Sequence, residues 1–165
     1  MLKAKVLAAL NKQIAHEFSN AHSYQAVSLY FAGLNLHGLE AFMAKQVSDE
    51  REHAHKFIAH VVDRGGKVEL EAIPAPKINF KSPLEAARHV AELEKATTGT
   101  IHKLFELAEQ DKDAALQVCL HWFINEQVEE EQWSTELLEL MTQFSEHPGQ
   151  LFMLDHQWGK RVKAD

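Results

Sequence analysis

Four stretches of this chain repeat apolar residues in alternating steps of three and four, and each stripe also carries glutamate. The first reads Leu7, Leu10, Ile14, Glu17, Ala21, Tyr24, Ser28 and Phe31, and the second Met43, Val47, Glu50, Ala54, Phe57 and Val61. The third reads Leu84, Ala87, Ala91, Glu94, Thr98, Ile101, Phe105 and Ala108. The fourth runs from Leu116 through Cys119, Phe123, Glu126, Glu130, Trp133, Leu137 and Leu140 to Phe144. A near-3.5 repeat lays one edge of an α-helix against a partner helix. It predicts four amphipathic helices, each ~40–50 Å long at about 1.5 Å per residue, and so an all-α fold.

The residues between the stripes say how the helices connect. Gly33 and Gly38 bracket a short link, and Gly65-Gly66 stops the second helix. Ser82-Pro83-Leu84-Glu85 opens the third with a capping serine, a proline suited to the first helical position and a glutamate that completes a capping box. Thr97-Thr98-Gly99-Thr100 is a poor helix former and weakens that helix locally. Asp111-Lys112-Asp113 supplies a turn and a new N-cap, Pro148-Gly149 ends the fourth helix, and residues 150–158 form a short fifth with Leu151, Leu154 and Trp158 on one side. Short links make antiparallel neighbours. The stretch 67–82 holds Pro74 and Pro76 and has no helical period. It can span ~50 Å at about 3.3 Å per residue, enough to cross the bundle and let the third helix run parallel to the second. So long a loop ordinarily argues against an assignment, but it is the single crossover of one four-helix-bundle class. Residues 1–165 are therefore expected to form one four-helix-bundle domain with a long crossover and a short fifth helix.

Composition excludes several alternatives. With 45% apolar and 25% charged residues the chain can bury a core, which disorder cannot do. No run approaches the ~20 apolar residues that span a bilayer, and Met1–Lys5 lacks the apolar core and cleavage site of a signal peptide. A lone Cys119 builds neither an internal disulfide nor a Cys-rich metal site and reads as a small core residue. A reduced, cytoplasmic setting is the expectation. The net charge of −7 weighs against nucleic acid as a partner.

The glutamates in the stripes carry the chemistry. Burying an ionised carboxylate costs several kcal/mol unless something pairs it. Four helices that each bury one near mid-length need a common cation, and oxygen-rich ligation favours iron or manganese over structural zinc. Glu50 and His53 stand at i and i+3 and share a helix face, as do Gln127 and Glu130. Taken singly these residues have plainer readings: His53 as a surface histidine, Tyr24 as a core aromatic, Asp49, Glu126 and Glu129 as a solvated acidic face. The other histidines show no paired spacing and read as surface or pore-lining at most.

The set Glu17, Glu94, Glu50-x-x-His53 and Gln127-x-x-Glu130 resembles the ligand pattern of the bacterial non-haem ferritins, and the likeness extends over essentially the whole chain. That resemblance implies a ferritin-like fold and a di-iron centre. Glu17, Glu50 and His53 would hold one iron, and Glu50 would bridge to a second held by Glu94 and Glu130, with Gln127 close by. Tyr24 and Trp122 match aromatic positions beside the centre. Asp49, Glu126 and Glu129, with Glu130, match a third iron site on the way to the cavity, although the family pattern has Glu where this chain has Asp49. The implied activity is ferroxidase: Fe(II) oxidised with O₂ or hydrogen peroxide, the ferric mineral being stored in a homo-oligomeric 24-subunit cage. A haem-bearing bacterioferritin is the nearest rival. It would need Met where this chain has Arg51 and Glu-x-x-His where it has Gln127 and Glu130, so no haem is expected. A rubrerythrin-like peroxidase would bring a Cys-rich module. A metal-free bundle that binds partners would leave the aligned carboxylates unexplained.

Overall fold

The computed structural model describes residues 2–162. Five helices follow in order: α1 (Ala4–Gly33), α2 (His37–Asp63), α3 (Pro83–Gln110), α4 (Ala114–Phe144) and α5 (Pro148–Arg161). There is no strand among the described residues. The start signals act as the sequence implies. Ser82 Oγ accepts from the Glu85 N–H at 3.2 Å, while the Glu85 carboxylate reaches back to the Lys81 N–H at 2.6 Å instead of that of Ser82. Asp113 caps α4 through the Leu116 N–H at 3.1 Å. Two boundaries differ. Gly38 lies inside α2, and Pro148 opens α5 at its first turn, as well as separating it from α4. The threonine-rich stretch 97–100 stays helical, because its polar side chains have partners inside the bundle.

Helices α1 and α2 form one intimate pair and α3 and α4 the other, with α1 against α3 joining them and α5 resting mainly on α2. The crossover 64–82 runs along α1. Asn11 near the start of α1 holds the Lys67 carbonyl and the Glu69 N–H, and Tyr30 near its end packs edge-on against Phe80. Helix α3 therefore starts beside the C-terminal end of α1 and finishes beside its N-terminal end, where Lys3 Nζ meets Asp111 Oδ1 at 3.1 Å. It runs parallel to α2, as the long link allows.

The apolar core is in two parts. One cluster includes Val27, Phe31, Leu39, Met43, Leu137 and Trp158, and the other includes Leu10, Ile14, Phe57, Ile101, Leu116 and Phe123. Between them lies a layer of buried polar side chains. Cys119 is partly buried against the second cluster. The α4 register is shifted from the expected stripe: Leu120, Gln127, Ser134 and Met141 point inward with Phe123, Glu130 and Leu137, while Glu126 sits on the flank. A 3.6-residue period drifts from a strict 3.5 repeat over eight turns.

Helix α5 docks where two glycines meet. The Asp155 carboxylate accepts from the Leu39 N–H at 2.8 Å and so caps α2. A Cβ on Gly38 would strike the Asp155 carbonyl, and one on Gly159 would come within 2.9 Å of the Gly38 Cα. Overpacking of this kind costs about 1–3 kcal/mol. Gly38→Ala should lower the thermal midpoint by ~3–10 °C, at about 2–4 °C per kcal/mol for a chain this size. Gly33→Ala, where nothing lies within 4 Å, should leave it unchanged. Melts followed by circular dichroism compare the two; equal midpoints would rule out the close α2–α5 contact.

Candidate metal centre

The polar layer is built by one turn from each long helix. Glu17 comes from α1, Glu50 and His53 from α2, Glu94 from α3, and Gln127 and Glu130 from α4; all are buried, Glu17 and Glu94 completely. Ligand atoms of Glu17, Glu50 and His53 lie within 4.8 Å of one another, close enough to share one metal ion. Glu94 and Glu130 face this group from the other helix pair. The i, i+3 spacing of Glu50 and His53 puts His53 Nδ1 3.7 Å from Glu50 Oε2. The ion pairs among the described residues give none of the four glutamates a lysine or arginine.

Each carboxylate accepts from at least one neutral donor of the chain, Glu94 on both of its oxygens. Gln13 Nε2 donates to Glu17 Oε1 at 2.7 Å, and Asn20 Nδ2 reaches Glu50 Oε1 at 3.5 Å. The Tyr24 hydroxyl donates to Glu94 Oε1, Gln127 Nε2 to Glu94 Oε2 at 3.3 Å, and Trp133 Nε1 to Glu130 Oε2 at 2.6 Å. Glu17 Oε2 and Glu50 Oε2 are buried with no hydrogen-bond partner. Two buried carboxyl oxygens without a donor, an oxygen-rich set of neighbours and one imidazole fit a hard divalent or trivalent cation. Trp122 stands edge-on to His53, with ring centroids 5.4 Å apart.

Tyr24, Trp122 and Gln127 all lie beside this layer of side chains. Tyr24 is a hydrogen-bond donor to Glu94, and the Gln127 amide nitrogen is spent on Glu94 and Thr98. Asp49, Glu126 and Glu129 come together with Glu52, His53 and Glu130 around a pocket of about 460 Å³ on the flank of the bundle. Asp49 is not free there: Lys45 Nζ lies 3.0 Å from its Oδ2. The sequence reading missed Gln13, His16, Asn20, Thr97 and Trp133. All lie three or four residues from Glu17, Glu94 or Glu130, or next to Glu17, so polar residues flanking the stripe were the available signal.

Burial raises the Glu17 carboxyl well above the usual range, and the negative charge of Glu50 adds to this. Burial likewise raises Glu50, the charge of Glu94 adds to this, a hydrogen bond with Glu17 pulls it back and the charge of Glu130 raises it again, so Glu50 feels both halves of the layer. Glu94 is raised by burial and pulled back by its bonds from Tyr24 and Gln127. Burial and then Glu94 push Glu130 up to about 9. Tyr24 is raised well above its ordinary value, by burial and then by Glu94.

These shifts fix the sign of a pH dependence. A carboxyl whose folded pKa exceeds its unfolded value holds a proton in the folded state that the unfolded chain has released. Its stabilising contribution is whole below the ordinary value near 4.5 and is lost as pH rises through the folded value, about 9 for Glu130. Metal-free protein should therefore lose resistance to urea between pH 5.5 and 8.5. A bound divalent cation replaces those protons, so it should stabilise more at the upper end. Urea melts with and without cobalt at both pH values check this; a metal-free protein more stable at pH 8.5 would contradict it.

Comparison with known proteins identifies the family. The ferritin-like domain family matches residues 7–144. The chain is 35% identical over 162 residues to a bacterial non-heme ferritin of Staphylococcus aureus, covering 98% of each. It is 34% identical over 161 residues to that of Staphylococcus haemolyticus, covering 98% of this chain and 97% of the other. In structure it is similar to the open pore ferritin of the archaeon Archaeoglobus fulgidus, with a TM-score of 0.94 and 36% identity over 96% of this chain and 98% of that one. With its sequence, helix order and crossover all in agreement, the chain belongs to the ferritin-like family.

Proposed function

We propose that this protein stores iron and that the buried layer is a ferroxidase centre. The observation that carries the reading is the set of four buried glutamates, one from each long helix, with two oxygens unpartnered and, among the described residues, no lysine or arginine in an ion pair with them. Such a layer is costly as an empty structure. It becomes favourable when cations occupy it. Fe(II) is the substrate, with Glu17, Glu50 and His53 as ligands on one side, Glu94 and Glu130 on the other, and Glu50 between them. Hard anionic oxygens favour Fe(III) over Fe(II) and so promote electron release. Two ferrous ions together supply the two electrons that take O₂ to hydrogen peroxide, and hydrogen peroxide can itself act as the acceptor. The residues of this chain hold the ions near each other, and the neutral donors Gln13, Tyr24, Gln127 and Trp133 keep the carboxylates of Glu17, Glu94 and Glu130 turned toward them. The neighbouring pocket bounded by Asp49, Glu126, Glu129 and Glu130 serves as a third, weaker site that passes iron onward. To bind there, a cation must take the place of Lys45 beside Asp49.

Storage needs an enclosed volume that one bundle lacks. Leu29, Ile78, Val118, Val128, Phe152 and Met153 are large apolar residues left exposed on the outer faces and α5, as expected of an assembling subunit. A 24-subunit cage is the assembly we propose, in keeping with the ferritin relatives. Arg51 lies exposed on α2 where an interfacial haem would need Met, which argues against the bacterioferritin alternative.

One aerobic experiment addresses activity and assembly together. Purified protein given Fe(II) in air should turn amber faster than buffer alone and sediment as a particle of roughly 24 chains. Glu50→Ala with His53→Ala should slow the first oxidation at least tenfold, because together they remove two of the three ligands of one half-site. Wild-type rates in that double variant would sink the ferroxidase reading, and sedimentation as monomer or dimer would sink the cage.

The third site has a separate signature. Glu126→Ala with Glu129→Ala should leave the first round of oxidation at the wild-type rate but slow later rounds by several-fold, as iron clears the centre less readily. Repeated Fe(II) additions followed by absorbance measure this. Unchanged later rounds would reduce these acids to a solvated face.

A further inference from the structure

Beside the carboxylate layer lies a polar unit that neither packing nor metal ligation explains. Asn20 sits on α1 one turn after Glu17, and Thr97 sits on α3 one turn after Glu94; both are 2% exposed. Filling this space with apolar side chains would avoid the cost of burying an amide and a hydroxyl. Instead the groups are matched atom by atom. Asn20 Nδ2 donates to Thr97 Oγ1 at 2.8 Å and reaches toward Glu50 Oε1 at 3.5 Å, with His16 Nε2 at 3.4 Å on the same side. Thr97 Oγ1 donates to the Leu93 carbonyl at 3.1 Å and meets His16 Nε2 at 2.9 Å. The His16 ring therefore touches both members of the pair and closes the unit on the α1 side. The chain of contacts thus runs from half-buried His16 through Thr97 and Asn20 to one oxygen of Glu50. The other oxygen, Oε2, has no hydrogen-bond partner and faces His53.

We propose that Asn20, held in place by Thr97 and His16, is a positioning residue that orients the Glu50 carboxylate, so that Oε2 is presented to the metal before the metal arrives. This rests on the reading of Glu50 as a ligand. The anchor is on α3 and the carboxylate on α2, so the unit also fixes the two helix pairs relative to each other at the one residue whose charge couples both halves of the layer. Free to rotate, Glu50 could turn Oε2 away and lose the orientation on which a shared ligand depends. Neighbours that orient ligands in this way are typically worth 10–100-fold in metal affinity.

Cobalt(II), added without air, provides a test that does not depend on oxidation, since its visible absorption reports both occupancy and ligand geometry. Thr97→Val keeps the shape of the side chain but removes the acceptor that holds Asn20. It should weaken cobalt binding about tenfold or more and change the absorption bands, while helix content and particle size stay as in the wild type. Thr97→Ser restores the hydroxyl and should restore both the isotherm and the spectrum. Glu50→Ala, run alongside, should lose most of the signal. If Thr97→Val matches the wild type in affinity and spectrum while Glu50→Ala does not, the positioning role is wrong and the metal centre stands. If Glu50→Ala also matches the wild type, the metal centre falls, and the positioning role with it. Should Thr97→Val fail to fold, Asn20→Ser decides the matter by the same two readouts.

Discussion

Four glutamates buried in one layer are the constraint around which this bundle is organised. Isolated, each would be expelled toward water or kept protonated, because a low-dielectric interior disfavours the ionised form. Here they are held by the two apolar clusters above and below, whose burial supplies the stability that the layer consumes. Neutral donors satisfy part of each carboxylate without cancelling its charge, so the demand for a cation survives folding. A lysine in the same place would have settled the electrostatics and abolished the site.

The topology serves that layer. Bringing one carboxylate from each helix to a common level requires helices of similar length whose midpoints align, and the crossover 64–82 makes this possible by returning the chain to the far end before α3 begins. The loop is anchored to α1 at both ends, through Asn11 and through Tyr30 against Phe80, so it also covers α1 and explains why that helix is buried on a wider face than a single stripe. Its ordered path, in place of a loose linker, fixes the relative level of the two helix pairs.

Much of this was legible in the sequence, for physical reasons that differ by residue. The four stripes gave the helices because apolar periodicity is imposed by packing, and the Ser82 and Asp113 caps marked two starts because a helix must satisfy its first N–H groups. Glu17, Glu50 and Glu94 stood out because charge in an apolar stripe is expensive. Glu126 was placed in the stripe and lies on the flank, since a repeat counted in threes and fours cannot tell adjacent inward positions apart over so long a helix. Asn20, Thr97 and His16 were illegible for a different reason. A small polar residue in a core register looks like a tolerated neutral position, and only the meeting of α1 with α3 reveals that three of them complete one another.

The division of the core has a consequence for the mechanics of the subunit. Two separately packed apolar halves, joined by the four long helices, the crossover along α1 and a layer of carboxyl groups, resemble two rigid blocks on a compliant joint. Without cations the joint should open locally more readily than the blocks, and amide exchange in the turns around Glu17, Glu50, Glu94 and Glu130 should be faster than within them. Cations filling the layer cross-link it, and the blocks then open and close as one. The rigidity of the loaded subunit is in that sense supplied by its cargo.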